Sequence, residues 1–574
     1  MGFLWKYFHK YQKHFFMAVA FLTVEAFCDL LQPTIMARIV DIGVAGRKID
    51  YVLQMGGAML VVTCIGAVSA VSRNIISSNV SQRFGAELRS DIYKKVHSFS
   101  FDNIDHFKAA SLVTRLTNDI TQVQNFAHGL MRIFVKAPLL CIGSLIMAVL
   151  LNPSMAVVLL VIIPVVGILI SISMKIGFPY FLRVQNAMDK MNGVMREYLA
   201  GVRVVKAFNR FDYERARFDE SNTELSAAST KAMRIMSFFN PAITLSVNLG
   251  ILAILWLGGI KVGNGSIRVG QVIAFINYMT QILFSIIMIS HVFNMFVMAR
   301  ASAERIGEVM AQESTMPEAE NPVNISEAEG SIEYDHVFFA YAQGAESVLK
   351  DISFKCMQGE SIGIIGSTGA GKSSLVNLIP RFYDVSSGSV KVGGTDVRNM
   401  DQRKLRDMVA VVPQKNMLFT GTIIDNLRWG REDAGLEEIR QAAASAQADE
   451  FISSFPEGYD TVLGQGGVNL SGGQKQRISI ARALIKTPKI LILDDCTSAV
   501  DVATEAKIRA AVKKESRDMT TIIIAQRITS VMGADRIMVL DNGGMAGMGT
   551  HKELLEGCDV YKEIFRSQIG KEGV

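Results

Sequence analysis

Long apolar runs separated by polar stretches fill the first half of the chain, from Phe15 to about Ile306. From about Glu318 onward charges are spread throughout, as in a soluble α/β protein. A helix needs roughly twenty apolar residues to cross a bilayer, because each backbone polar group must be satisfied within the segment. Six stretches qualify: Phe15 to Val40, Val52 to Ile76, Leu130 to Leu151, Met155 to Met174, Ala242 to Ile260, and Val272 to Val297. The pattern predicts an all-α polytopic membrane domain over 1–315, a polar linker over 316–329 that includes Val323 to Ala328 (VNISEA), and an α/β domain over 330–574.

Positive charge sets the orientation. The connection between the second and third spans carries Arg83, Arg89, Lys94, Lys95, Lys108 and Arg115. That between the fourth and fifth carries Lys175, Arg183, Lys190, Arg196, Arg203, Lys206 and Arg210. Both long connections, and with an even number of spans both termini, are therefore expected on the cytoplasmic side. Their helical patterning predicts membrane helices that continue into the cytosol, broken near Phe101 to Phe107 (FDNIDHF) and near Gly201 to Phe211 by short crossing helices or ordinary turns. Basic residues before an apolar run suggest a signal peptide, but the run is too long and lacks a small-residue cleavage site. The aromatic and basic mixture of Trp5, Tyr7, Phe8 and Lys10 suits a helix lying in the cytoplasmic interface.

Glu25 and Asp29 lie one helical turn apart inside the first span. Carboxylates there need a polar cavity or a partner, so they are candidate contacts for a cationic substrate or members of a structural ion pair. His291 in the last span has the same two readings. Phe27, Phe284, Met288, Phe293, Met295 and Met298 could line a cavity for amphipathic or cationic small molecules, or simply pack or face lipid.

The net charge of +5 is small for 574 residues and its bases gather in the membrane-half loops, so no nucleic-acid partner is needed to explain it. The six cysteines (Cys28, Cys64, Cys141, Cys356, Cys496, Cys558) lack metal-ligand spacing and read as reduced packing residues.

Ser331 to Tyr341 alternates like a strand, and Glu360 to Ile365 is a short apolar strand leading into GSTGAGKS, Gly366 to Ser373. That is a P-loop, and it makes the second half an α/β P-loop nucleotide-binding domain. The backbone N–H groups of Gly366, Ser367, Thr368, Gly369, Ala370 and Gly371 can curl around phosphate oxygens. Lys372 neutralises β and γ charge, Ser373 ligates Mg²⁺, and Ser374 continues into a helix. KILILD, Lys489 to Asp494, is a buried strand ending in an acid that suits the Mg²⁺ shell. Between them LSGGQ, Leu470 to Gln474, precedes a helical stretch, so Ser471, Gly472, Gly473 and Gln474 form a second phosphate-binding helix end.

With LSGGQ standing between those two motifs, the whole chain resembles the ATP-binding cassette half-transporter exporters. The resemblance implies ATP and Mg²⁺ as cofactors, stacking of Tyr341 on adenine, contact of Gln414 with Mg²⁺ and the attacking water, and a loop at Ser498 to Asp501 facing a second cassette. It further implies head-to-tail pairing, in which each ATP lies between the Walker motifs of one chain and the LSGGQ of the other, and crossing helices seated on the cassettes. Two positions depart from the family pattern. Asp495 stands where a catalytic glutamate is usual, and Gln526 where a histidine is usual. Aspartate is one methylene shorter, and a misplacement of about an ångström can cost about a hundredfold in rate. Glutamine neither carries charge nor exchanges a proton as imidazole does. Gln465, in GQGGVN, also replaces a frequent acid.

The chain therefore resembles the degenerate-site subunit of bacterial heterodimeric multidrug exporters. The resemblance implies a plasma-membrane protein in the lipid bilayer, a second non-identical half-transporter as partner, and a small amphipathic or cationic substrate. A homodimeric exporter using Asp495 as a weaker base, for lipid, peptide or haem-like cargo, is the alternative, with an ATP-gated channel or regulator behind it.

Overall fold

The computed structural model describes residues 2–319, 321–323, 329–341, 346–515 and 518–569. They form two compact units, Met1–His97 with Lys108–Gln312, and Ser98–Phe107 with Glu313–Val574.

The first unit holds α1 (Gly2–Arg38), α2 (Ile49–His97), and, after α3 (Phe101–Phe107) of the second unit, α4 (Ala109–Leu151), α5 (Pro153–Ala207), α6 (Phe211–Gly263) and α7 (Val269–Ala311). These six long helices are apolar enough to cross a membrane, and each covers one of the expected spans, the first by running on through the π-helical turn Ile39–Val44. Asn152 starts α5 by accepting the Met155 N–H at 3.2 Å, and Pro153 occupies the first turn, where its missing N–H costs nothing. The membrane core gathers Leu159, Ile254, Phe275 and Tyr278. The Tyr278 hydroxyl donates to the Leu30 carbonyl at 2.8 Å and meets Thr34 Oγ1 at 2.6 Å, which fastens α7 to α1 without an unpaired polar group.

The N-terminal segment corrects one expectation. α1 is unbroken from Gly2, and its polar partners descend α2 in step: Tyr7 donates to Asp91 at 2.7 Å, Tyr11 to Glu87 at 2.9 Å, and Glu25 pairs with Arg73 at 2.8 Å. A constant antiparallel register over that length makes the segment an extension of the first span rather than a separate interfacial helix. Three π-helical turns, Ile39–Val44, Arg115–Asp119 and Leu130–Phe134, were also not expected.

Of the two expected crossing helices, the first forms as α3 and packs with the cassette. Phe101 meets Phe382 at 4.8 Å between ring centroids, and Asp105 accepts the Tyr383 hydroxyl at 2.9 Å. At the second site α5 continues through Gly201 to Ala207, and only Phe208 to Arg210 interrupt the helices, with Asn209 at φ 50°. A lone glycine does not stop a helix that nothing else breaks.

The second unit holds two main sheets and a two-stranded pair, Gly421–Thr422 with Val462–Leu463. A six-stranded sheet contains β3 (Ser361–Gly366), β5 (Val409–Val412), β6 (Ile490–Asp494), β7 (Thr520–Ile524), β8 (Arg536–Asp541) and β9 (Gly544–Gly549). Its spatial order is β9-β8-β3-β7-β6-β5, parallel except for β9. An antiparallel sheet orders β2 (Leu349–Cys356), β1 (Ile332–Phe339) and β4 (Ser387–Val392), with a two-residue strand Thr395–Asp396 at its edge. Residues of both sheets share one core, including Tyr334, Phe339, Ile352, Ile362 and Ile492. β6 is buried at every position, as expected of a parallel central strand covered on both faces. Of VNISEA, residues 324–328 lie outside the described residues, while Val323 donates to the Asn399 carbonyl at 3.0 Å.

Candidate functional site

The glycine-rich turn follows β3 and opens α8 (Lys372–Asn377). A Cβ at Gly366 would meet the Leu540 carbonyl oxygen at 2.2 Å, so the strand must end in glycine. Gly369 and Gly371 have φ of 87° and 94°, the left-handed region that lets successive N–H groups face one point. Ala370 is buried beneath the loop. Lys372 reaches back along it, with Nζ 2.9 Å from the Gly366 carbonyl and 2.7 Å from that of Ser367. Burial holds its pKa below the ordinary lysine value, against the opposing pull of Asp495 and Asp494.

The acids come from the next strand but one. Asp494 ends β6 and receives a hydrogen bond from Ser373, yet burial still raises its pKa. Asp495 has φ 47°, a conformation short polar residues tolerate best, and its N–H donates to the Ile524 carbonyl at 2.9 Å. Its Oδ2 accepts two amide N–H groups, from Gln526 Nε2 at 2.8 Å and Gln414 Nε2 at 3.1 Å. Thr368, Gly369, Gly371, Lys372, Ser373, Ser374, Gln414, Asp494, Asp495 and Gln526 thus line one cleft of about 340 Å³. Left-handed N–H groups with a lysine fit a polyphosphate, and a serine hydroxyl beside a carboxylate fits a hard divalent cation. Tyr341 is fastened next to the loop by its hydroxyl, 2.8 Å from Ser374 Oγ, while its ring stands edge-on to Phe339 and Tyr383 and stays 42% exposed.

The second phosphate-binding end is elsewhere. Ser471 caps α9 (Gly472–Ile485): its Oγ accepts the Gln474 N–H at 3.3 Å, and Gln474 Oε1 accepts the Ser471 N–H at 2.9 Å. Gln474 follows Gly472 and Gly473, and none of these four residues lines the cleft. A Cβ on Gly473 would lie 2.8 Å from the Ala499 carbonyl oxygen, so this glycine allows the Ser498 to Asp501 loop to pass close. Gln476 holds that loop, donating to Ser498 Oγ at 3.3 Å and accepting the Ala499 N–H at 3.1 Å. Sequence reasoning missed this residue. A buried polar side chain two positions past the motif was its one signal. Gln465 is exposed and opens a turn whose Gly466 and Gly467 both have positive φ.

In the membrane unit the acid pair is already matched. Glu25 takes Arg73 Nε at 2.8 Å and Lys136 Nζ at 2.6 Å, and Lys136 also lies 2.9 Å from Asp29. Two acids facing two bases favour the structural reading over recognition of a cation. His291 is exposed, as are Phe27, Phe284, Met288, Phe293 and Met298, while Met295 is half-buried.

Residues 15–286 match the family described as ABC transporter transmembrane region, and residues 349–498 match the family described as ABC transporter. The chain is 40% identical to YfiB of Bacillus subtilis (strain 168), an ABC transporter ATP-binding protein, over 97% of this chain and 96% of that one. The chain belongs to the ABC transporter family. This ABC transporter is also 31% identical to YgaD of the same organism, provisionally named a multidrug export ATP-binding/permease protein, over 97% of each chain. Its fold matches a bacterial Atm1-family ABC exporter solved with ATP bound, with a TM-score of 0.81, 24% identity, and coverage of 98% of this chain and 99% of that one. As an ABC transporter it couples ATP hydrolysis in its cassette to transport, and its six long apolar helices make it a multi-pass membrane protein.

Proposed function

We propose that this ABC transporter is the slow-site half of a heterodimeric exporter of amphipathic or drug-like solutes in a bacterial plasma membrane, with both termini and the cassette cytoplasmic. The observation that carries the reading is the state of Asp495, whose Oδ2 is shared by the amides of Gln414 and Gln526. A general base must take a proton from the attacking water. Here the carboxylate is a methylene shorter than glutamate, and both neighbouring side chains offer N–H groups instead of proton acceptors.

The loop N–H groups and Lys372 would hold the β- and γ-phosphates, with Tyr341 toward the adenine. Ser373, Gln414 and Asp494 would hold Mg²⁺, which supplies neutralising charge on the phosphate oxygens when bound. Binding groups are complete while proton-accepting groups are weak, so nucleotide stays bound longer than it takes a competent site to turn over. Ser471, Gly472, Gly473 and Gln474, which stand away from this chain's own cleft, would complete the competent site on the partner. ATP-driven closure would then favour the outward-facing state, and hydrolysis at the partner's site would release it.

An amphipathic cargo is supported by the exposed Phe27, Phe284, Met288, Phe293 and Met298, and by the name given to YgaD. The neutralised Glu25 and Asp29 argue against a cargo chosen for positive charge alone. The test is Mg²⁺-dependent ATPase activity of the purified chain in lipid nanodiscs, alone and with half-transporters that carry glutamate at the position of Asp495. Activity that appears only with such a partner is expected. Robust turnover by the chain alone would replace this reading with a homodimer in which Asp495 is a sufficient base.

A further inference from the structure

Gln526 reaches Asp495 from the loop after β7, one residue past Ala525, whose N–H donates to the Ile364 carbonyl of β3 at 3.3 Å. Gln568, on the helix α10 (Asp559–Ile569), meets this loop on both sides. Its Nε2 donates to the Gln526 carbonyl at 2.8 Å, and its Oε1 accepts the Ile528 N–H at 2.8 Å. Both bonds run to backbone, so the clasp fixes where residue 526 begins rather than what its side chain is. The helix is itself anchored: Tyr561 and Phe565 are buried in a core with Ile528, Val531 and Ile537. Positions 561, 565 and 568 share one helix face, so the face that docks the helix also presents Gln568 to the loop.

We propose that Gln568 is a positioning residue of the ATP site, holding the loop so that the Gln526 amide reaches the Asp495 carboxylate. The line of contact is continuous: α10 to the backbone at 526 and 528, the Gln526 amide to Asp495 Oδ2, and the same oxygen to Gln414. The inference rests on Gln526 acting at the nucleotide site. It holds whether that site is slow or competent, so its failure and the failure of the heterodimer reading can be told apart.

The experiment is single-turnover hydrolysis of prebound ATP by the assembled transporter in nanodiscs, with the partner's catalytic glutamate replaced so that this chain's site is the one read. Gln568→Leu removes both hydrogen bonds at similar size, and Gln568→Glu keeps the acceptor for the Ile528 N–H. Each is measured in the native and the Gln526→Ala backgrounds, with ATP affinity measured in parallel. Gln568→Leu should lower the rate about fivefold, the equivalent of one ordinary hydrogen bond, with ATP affinity within about twofold. Gln568→Glu should recover part of the rate, and Gln568→Leu should have no further effect once Gln526 is alanine. An equal loss in both backgrounds would make Gln568 merely structural and overturn the proposal, as would an unchanged rate in the native background.

Discussion

Close approach at single residues decides much of the cassette. Gly473 lets the Ser498 to Asp501 loop lie against the start of α9, and Gln476 ties the two together. Gly473→Ala should therefore force the loop or the helix start aside at a cost of about 1–3 kcal/mol. The expected result is a lower melting temperature of the cassette transition, together with reduced ATPase of the assembled transporter. A second residue-scale prediction concerns acid. Glu360 is bonded by Arg536 Nη2 at 2.9 Å and by the Met357 N–H at 2.8 Å. Burial alone would raise its carboxyl, but these bonds hold it below the usual 4.5. A carboxylate depressed on folding contributes stability that is present above the unfolded value and lost as pH falls through the folded one. Glu360→Gln should therefore flatten the fall of melting temperature below about pH 4.5, read by calorimetry against the native chain.

Among the helices, the cluster that joins α1, α2 and α4 through Glu25, Arg73, Lys136 and Asp29 is the main polar feature within the spans. Taking one partner from a buried pair leaves an uncompensated charge and costs about 3–5 kcal/mol. Arg73→Ala should lower the melting temperature of the transporter in detergent, whereas Glu25→Gln with Arg73→Gln together should cost less than Arg73→Ala alone. Preference for cationic over neutral cargo should stay unchanged in the double variant, since the cluster is internally balanced. The spans themselves were legible from hydropathy, and the strands Ile332–Phe339 and Ser361–Gly366 from alternation and a glycine-rich exit. The continuation of the later helices into the cytosol was legible from their patterning, but the union of the N-terminal segment with the first span was not, because it depends on partners such as Tyr7 with Asp91 on the neighbouring helix. For the same reason the P-loop, Asp494 and LSGGQ could be read directly, while Gln476 and Gln568 could not: each acts on backbone brought close only by folding.

At the scale of the whole transporter, motion has to reach the cassette through the elements it carries from the membrane half of the sequence. α3 is one, with Phe101 on Phe382 and Asp105 on the Tyr383 hydroxyl. Phe101→Ala should leave ATP binding within about twofold, because Phe101 does not line the cleft, but should lower stimulation of ATPase by transported solutes, measured in proteoliposomes. The proposed asymmetry of the two ATP sites turns on Asp495 and Gln526. The most direct measurement is the ATPase rate of the assembled transporter carrying Asp495→Glu and Gln526→His together, beside the native complex. If this chain's site is slow for want of those two groups, the double variant should turn over ATP faster than the native complex, and hydrolysis should persist when the partner's own catalytic glutamate is removed. A double variant no faster than the native complex, and silent without the partner's glutamate, would contradict the account.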